Sequence, residues 1–324
     1  MSAEMDYVYA VYREKSFSKA AKKLFVSQSA VSAMVKKVED NLGCTLFDRN
    51  SSPLTLTKEG KYYIKCAERI LDIEHEMKTY FDDAKNLRRG SIAIGTSSFY
   101  CIYYITDMIK RFRAKYPDIQ CDVFEGNVNE LDRWAEENRL DLLFGSVFED
   151  NEALKTLFFE TEHIVLGVPK DFPVNKELTE YQISLEMVRN NGFLCEDVPP
   201  VPLIAFKDYP FVSLKKGNDM HTRCIRICRN AGFTPRQESL LDQFTTAYYT
   251  ACSGAGVLMV RSTLLNTLID RGDLIYYKIG DPLEARSISF ALKKRSYISN
   301  AVKEFLSIAY SSHGKKMPPL DLEK

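Results

Sequence analysis

Residues 17–42, FSKAAKKLFVSQSAVSAMVKKVEDNL, constrain the fold more than any other stretch of this 324-residue chain. Two runs of helical spacing flank a break too short to let the second helix leave the first. In the first run Ala20, Ala21, Leu24 and Phe25 are expected to face inward while Lys19, Lys22 and Lys23 stay wet, with Ser16 or Ser18 as N-cap. Val26, Ser27 and Gln28 interrupt the pattern, and Ser27 can cap the second run. In that run Val31, Met34 or Val35, Val38 and Leu42 recur at helical spacing, leaving Gln28, Ser29, Ser32, Lys36 and Lys37 nearer the other face. The pattern predicts a helix-turn-helix whose second helix offers a small, polar, basic face outward.

Charge gives that face a use. From Arg13 to Lys37 there are seven basic residues and one acidic residue, Glu14, although the whole chain balances at 44 basic and 44 acidic. Residues 1–90 hold 16 basic and 13 acidic residues, so the excess sits at the front and the remainder is mildly acidic. Small side chains let a helix enter a duplex groove about 12 Å wide, where Gln, Ser and Lys hydrogen-bond base edges or phosphates. A cationic cluster of this kind releases counterions on binding a phosphate backbone. The same spacing also fits an ordinary surface hairpin with solvated lysines.

Around this hairpin, residues 4–14 read as a supporting helix with Met5, Val8, Tyr9 and Tyr12 as its stripe. After Gly43, residues 45–47 and 54–57 form β-like pieces about a turn containing Asn50, Ser51, Ser52 and Pro53, a two-stranded wing with Arg49 and Ser51 at its tip, placed to touch phosphates. A long helix then runs from Lys58 with no breaker before Gly90. Tyr63, Cys66, Ile70, Ile73, Met77, Tyr80, Ala84 and Leu87 alternate steps of three and four along it, a coiled-coil seam that needs a partner, and Arg88 and Arg89 close it. Packing against the chain's own body is the alternative.

Beyond Gly90 the rhythm changes to strand 91–95, helix 103–115, strand 120–124, helix 129–138 and strand 140–144, which argues a parallel sheet with crossovers. Residues 163–168 read as a strand leaving this unit for a second one: strand 211–214, helix 219–231, strand 236–238, helix 243–252 and strand 256–259. Residues 274–277 and 287–292 are expected to return to the first unit, with 300–310 as a last helix; residues 171–209 carry no assignable pattern. Two lobes crossed twice can hinge, and a cleft between them is the default ligand site. Polar groups at predicted strand ends could serve it: Thr96, Ser97, Ser98, Asn127, Val128 and Ser146 on one lobe, Ser213, Lys215, Asn218 and Thr245 on the other. Each also fits helix capping, and their serines and threonines favour an anionic or polar small molecule.

The wording of the front segment resembles, nearly residue for residue, the winged helix-turn-helix of LysR-type transcriptional regulators. The matching pieces are Ser16-Phe17, Ala20-Ala21, Leu24, Val26-Ser27-Gln28, Ala30-Val31-Ser32, Glu39, Leu42-Gly43, Leu46-Phe47-Asp48-Arg49, Leu56-Thr57 and Gly60. It departs from that pattern at Ser29, where many relatives carry Pro, and at Ala33 and Met34, where they carry Arg and Gln; the absent Arg removes a guanine reader. The body is similar, more loosely, to the periplasmic-binding-protein-like effector domain of the same family, through GSIAIG at 90–95, Phe112 with Tyr116-Pro117, Glu125-Gly126, LDLL at 140–143, AGF at 231–233 with Pro235, and SGAG at 253–256.

The resemblance implies an α/β chain with a DNA-binding domain at 1–58, a linker helix at 59–89 that pairs two subunits, an effector domain at 90–312 (lobe I about 90–165 and 266–312, lobe II about 166–265) and a tail at 313–324. It assigns DNA contact to Ser18, Lys19, Ser27, Gln28, Ser29, Ser32, Ala33, Lys36, Arg49 and Ser51, and the effector pocket to the ten strand-end residues above. The expected partners are a two-fold duplex operator, a small-molecule effector, a second copy of the chain with further pairing to a tetramer, and RNA polymerase as a candidate. No cofactor is expected.

The histidines His75, His163, His221 and His313 are isolated, and HExxH, GxSxG and phosphate-binding glycine loops are absent, so catalysis is not expected. An export signal and an apolar run long enough to span a bilayer are also absent, which predicts a cytoplasmic protein with no membrane partner and argues against a solute-binding protein. The eight cysteines then read as reduced thiols. His221, Cys224 and Cys228 fall at i, i+3, i+7 on one predicted helix, which leaves helix packing, a thiol redox sensor on the same scaffold, or a metal site short of ligands.

Overall fold

The computed structural model describes residues 3–49, 51, 53–84, 90–146, 153–267, 271–294 and 297–320. The chain divides into two compact units, Met1–Lys85 and Asn86–Lys324.

The first unit runs α1 (Ala3–Glu14), α2 (Phe17–Leu24), α3 (Gln28–Leu42), β1 (Phe47–Asp48), β2 (Thr55–Leu56) and α4 (Lys58–Ala84). Ser16, not Ser18, caps α2, its side chain accepting the Lys19 N–H at 3.3 Å. Ser27 caps α3 through the Ala30 N–H at 3.2 Å, and Gly43 ends α3 at φ 68°. Val31, Val35 and Val38 of α3 join Val8, Val11, Ala20, Ala21 and Leu46 in one core, so Val35 rather than Met34 turns inward, and Leu42 is half-exposed.

Phe25 corrects the expected inward face of α2. It is the C-cap, at φ 56° and ψ 39°, and it is 96% exposed. A chain that turns into a second helix three residues later needs a left-handed residue there, and that conformation turns Cβ off the buried face.

The wing strands pair antiparallel, Phe47 with Leu56 and Asp48 with Thr55. Thr57 caps α4, accepting the Gly60 N–H at 2.9 Å while its hydroxyl donates to the Thr45 carbonyl at 2.7 Å. Gly60 is required by close approach: a Cβ there would lie 2.0 Å from the Leu46 carbonyl oxygen. Early in α4, Ile64 and Ala67 are buried; farther along, Ile70, Ile73, Met77, Tyr80 and Phe81 are exposed. The side chain of Ala84, together with Leu87, Arg88 and Arg89, lies outside the described residues.

The second unit begins with β3 (Gly90–Thr96), then α5 (Ser98–Tyr100), which continues through a π-helical turn, Cys101–Ile105, into α6 (Thr106–Lys115). There follow β4 (Ile119–Glu125), α7 (Val128–Glu136), β5 (Leu142–Gly145) and a 16-residue strand, β6 (Leu154–Pro169). Next come α8 (Val174–Glu177), β7 (Gln182–Ile183), α9 (Leu185–Arg189), β8 (Pro210–Leu214), α10 (Asp219–Asn230), β9 (Arg236–Leu241) and α11 (Phe244–Cys252). The unit closes with β10 (Leu258–Arg261), α12 (Ser262–Thr267), β11 (Leu274–Lys278), β12 (Ala285–Lys293) and α13 (Asn300–Ser312).

The main sheet has the order β4-β3-β5-β12-β6-β11-β7, with β10 also on β6. β3 lies parallel to β4 and β5, as the alternating rhythm predicts, and β12 runs antiparallel to β5 and β6. β6 belongs to both lobes: its residues 154–163 pair with β12, and its residues 164–169 pair with β10 and β11.

Two sequence expectations change here. Residues 274–277 do not return to the first lobe; β11 sits between the second half of β6 and β7, and only β12 comes back. Residues 171–209 wrap that lobe as short helices and turns, held where the Tyr277 hydroxyl donates to Asn175 at 2.7 Å and the Lys278 ammonium donates to the Cys195 carbonyl at 2.9 Å. The residues after α13 also pack rather than hang free: Lys315 pairs with Glu160 at 3.0 Å, and Met317 and Leu320 rest on the core, while 321–324 lie outside the described residues. Among the described residues no helix is long and apolar enough to cross a membrane.

Candidate nucleic-acid interface and ligand cleft

On α3, Gln28, Ser29, Ala33 and Lys36 are exposed and Ser32 is half-buried, one polar face opposite the valines. Lys19 and Ser18 at the start of α2 are exposed as well, and the Ser18 hydroxyl donates to the Gln28 side-chain carbonyl at 2.7 Å. That bond fixes the amide orientation of Gln28 at the first turn of α3. Ser27 and Ser29 share a 2.9 Å hydrogen bond, so Ser27 is occupied by its cap and its neighbour.

Arg49 and Ser51 differ from expectation. Glu39, buried in α3, accepts the Leu46 and Phe47 N–H groups at 2.7 and 3.4 Å and the Arg49 guanidinium at 2.9 Å. That guanidinium also lies 5.4 Å over the Phe17 ring. Arg49 is therefore drawn back to bolt the wing to α3, with half its side chain still exposed. Ser51 closes the wing turn, its hydroxyl donating to the Asp48 carbonyl at 2.8 Å. Lys23 and Lys37 are tied to Glu14 and Glu4 at 2.9 and 2.8 Å, which lowers the charge the face presents.

In the second unit the carboxyl ends of β3, β4 and β5 open on a cavity of about 70 Å³, faced by the first turn of α10. Of the ten expected residues, Ser97, Asn127, Val128, Ser146 and Asn218 line it. The other five do not. Thr96 is buried and donates to the Phe144 carbonyl at 2.9 Å, Ser98 donates to Glu125, and Lys215 pairs with Asp242 at 2.7 Å. Ser213 is buried within β8, and Thr245 sits in the first turn of α11.

The sequence reading missed Tyr100, Asp219, Arg261 and Arg286, which also line the cavity. Arg261 and Arg286 both donate to Glu162 on β6, Arg261 at 3.1 Å, and Arg286 also donates to Asp219 at 2.5 Å. Arg223 reaches Asp219 at 3.0 Å. Burial pushes the Glu162 carboxyl up, but the two guanidiniums overrule it and hold the group down at about 2. The Arg261 guanidinium stacks 3.6 Å from the Phe99 ring centre and 4.5 Å from that of Tyr100. A lone charge at the end of an otherwise apolar strand, as in VLMVRS, was the available signal for Arg261.

Cys224 and Cys228 are buried on α10, and Cys228 is held well above the ordinary thiol range by its hydrogen bond to Cys224 and by burial. Such a thiol is protonated and a poor nucleophile. His221 points its Nδ1 at the Leu214 carbonyl, 2.7 Å away.

The family model described as "LysR substrate binding domain" matches residues 85–311, and "Bacterial regulatory helix-turn-helix protein, lysR family" matches residues 3–61. The chain belongs to the LysR family. It is thus a DNA-binding transcriptional regulator with an effector-binding domain behind its helix-turn-helix. The Bacillus subtilis HTH-type transcriptional regulator YcgK is 26% identical over 313 residues, covering 95% of this chain and 93% of that one. The Acinetobacter baylyi regulator BenM is 22% identical over 316 residues, 97% of each chain. The fold of full-length BenM matches at TM-score 0.55 over 98% of both chains. That of full-length CbnR complexed with its target DNA matches at 0.54, with 18% identity over 95% of this chain and 98% of that one.

Proposed function

We propose that this LysR-family regulator reads duplex DNA with Gln28, Ser29, Ser32, Ala33 and Lys36 of α3, with Ser18 and Lys19 seating the start of α2 on the backbone. Gln28, held by Ser18, is the base reader; Lys36 and Lys19 are phosphate contacts. The observation carrying this reading is the exposed polar face of a helix whose opposite side is fixed by three buried valines and whose N-terminus is capped by Ser27. Arg49 acts indirectly, by holding the wing on Glu39.

Two copies associate through the exposed stripe of α4, which sets two α3 helices on a two-fold operator with half-sites about 34 Å apart. Further pairing gives the tetramer, and RNA polymerase is the partner through which the bound protein acts. The effector sits in the cavity lined by Ser97, Asn127, Val128, Ser146 and Asn218, between two lobes joined by β6 and by the return into β12. Its binding changes DNA affinity only insofar as it favours one lobe arrangement over another.

The test is selection of bound duplexes from random sequence with purified full-length protein, followed by footprinting. The expected result is an inverted repeat with protected half-sites one helical turn or a multiple apart. A single asymmetric site would reject the paired reading, and absence of any enriched sequence would reject base readout by α3.

A further inference from the structure

The two crossings of the chain between the lobes meet at one carboxylate. On β6 the change of partner falls between His163, the last residue paired with β12, and Ile164, the first paired with β10. On the return it falls at Glu284. Residues 281–284 are tied to α10 of the second lobe, where Asp281 accepts the Asn230 side-chain amide at 2.7 Å and the Leu283 carbonyl accepts the Arg223 guanidinium at 2.9 Å. Ala285 then opens the pairing of β12 with β6. From that point the Glu284 carboxylate reaches back to β6: it lies 3.0 Å from His163 Nδ1 and accepts the Ile164 N–H at 3.4 Å. The His163 N–H donates to the Ser262 hydroxyl at 3.2 Å, at the start of α12.

The two faces of this crossing are fastened differently. Successive residues of a strand point to opposite faces, so Glu162 and Arg286, opposite each other in register, make a permanently charged pair on one face, and His163 and Glu284 make a pair on the other whose charge depends on a proton. The His163 and Glu284 side chains are only 15% and 17% exposed, so salt screens their interaction weakly. Among the described residues Glu284 is the charged side chain bonded to the imidazole. Phe193 of the second lobe meets the ring edge-on at 5.9 Å, Ser262 is uncharged, and Arg223 of α10 is turned to the carbonyls of Leu283 and Ala285 and to Asp219. Histidine is the side chain whose charge ordinarily changes between about pH 5 and 8. A proton gained there turns a neutral contact into a charge-assisted one, roughly twice as strong. The pair is therefore firm in acid and slack in alkali.

We propose that His163 and Glu284 form a proton-sensitive clasp at the lobe crossing, which stiffens the hinge in acid and makes pH a second input to the regulator beside its effector. The second half of this statement rests on the reading above that lobe arrangement governs DNA affinity; the clasp itself does not. The clasp holds the one place where both connecting strands change lobes, so its strength acts on hinge motion and leaves the interior of each lobe alone.

The experiment is hydrogen–deuterium exchange of the full chain at about pH 5.5 and about pH 8, corrected for intrinsic exchange, on wild type, His163→Gln and Glu284→Gln. Peptides covering 160–167 and 283–290 report the crossing, and β3 serves as the internal reference; retained protection of β3 shows that a variant is folded, and either variant alone suffices. Protection of the crossing relative to β3 is expected to fall about threefold or more from acid to alkali in wild type and to stay level in the variants. A wild-type ratio indifferent to pH overturns the clasp, as does the same fall persisting in a folded variant. Operator affinity at the two pH values, by fluorescence anisotropy, separates the second half. The acid-to-alkali affinity ratio is expected to differ between wild type and His163→Gln; if exchange shows the clasp and that ratio is the same in both, pH is not an input and the link from lobe arrangement to DNA affinity fails with it.

Discussion

Glu39 and Glu162 are the two carboxylates buried among the described residues, and each organises one unit. Glu162 carries two buried guanidiniums, so Glu162→Gln leaves Arg261 without its counter-charge and Arg286 with Asp219 alone. The expected cost is about 3–5 kcal/mol in chemical denaturation of the second unit. Because its folded pKa of about 2 lies below the ordinary 4.5, its ionised contribution is complete above about pH 4.5 and is lost as pH falls through about 2. The stability gap between wild type and Glu162→Gln should therefore be flat from pH 7 to 5 and close below that; a gap that widens in acid would contradict the pairing. At the DNA face two substitutions separate two roles. Lys36→Ala should weaken binding to all duplexes and reduce the salt slope by about one, whereas Gln28→Ala should relax preference at one base position with the slope unchanged, both read by fluorescence anisotropy. The face of α3 could be read from sequence because local periodicity and capping determine it. Tyr100, Arg261 and Arg286 could not, because they come from three elements that only tertiary pairing brings to one cavity.

At the scale of elements, α4 and the turn after α2 make opposite demands. The exposed Ile70, Ile73, Met77, Tyr80 and Phe81 form an apolar stripe along α4. Ile73→Glu should shift sedimentation from paired toward single chains at micromolar concentration while far-ultraviolet dichroism stays unchanged; an unaltered oligomer would place the interface elsewhere. Phe25 is held left-handed with its ring almost wholly in water, so Phe25→Asn removes strain and almost no buried area. It should raise the stability of the first unit by about 0.5–1 kcal/mol, since Asn tolerates that conformation. The sequence hid Phe25 because an apolar residue one step beyond the half-buried Leu24 reads as more of the same face. It hid the first half of β6 for a different reason. Residues 154–163 set Leu157-Phe158-Phe159 between the polar runs Lys155-Thr156 and Glu160-Thr161-Glu162-His163 with no regular alternation, while the continuous apolar run of 164–168 declares a buried strand. The return of β11 to the wrong lobe has the same origin: short apolar strands carry no label of their neighbour.

For the whole molecule, the two-unit division matches a front that binds DNA and a body that binds an effector, joined in sequence through the end of α4. β6 and the return into β12 connect the two lobes, and the buried Glu162 with its arginines sits on them. Effector binding should change operator affinity by about fivefold to 150-fold, corresponding to coupling of about 1–3 kcal/mol, and operator should change effector affinity by the same factor. The measurement that bears most directly on the account is operator affinity of the full chain against salt concentration, by fluorescence anisotropy on a selected duplex. The account predicts tight binding at low salt and a linear fall of log affinity with log salt, about 0.9 per phosphate neutralised. An affinity indifferent to salt, or failure to bind duplex DNA at low salt, would contradict it.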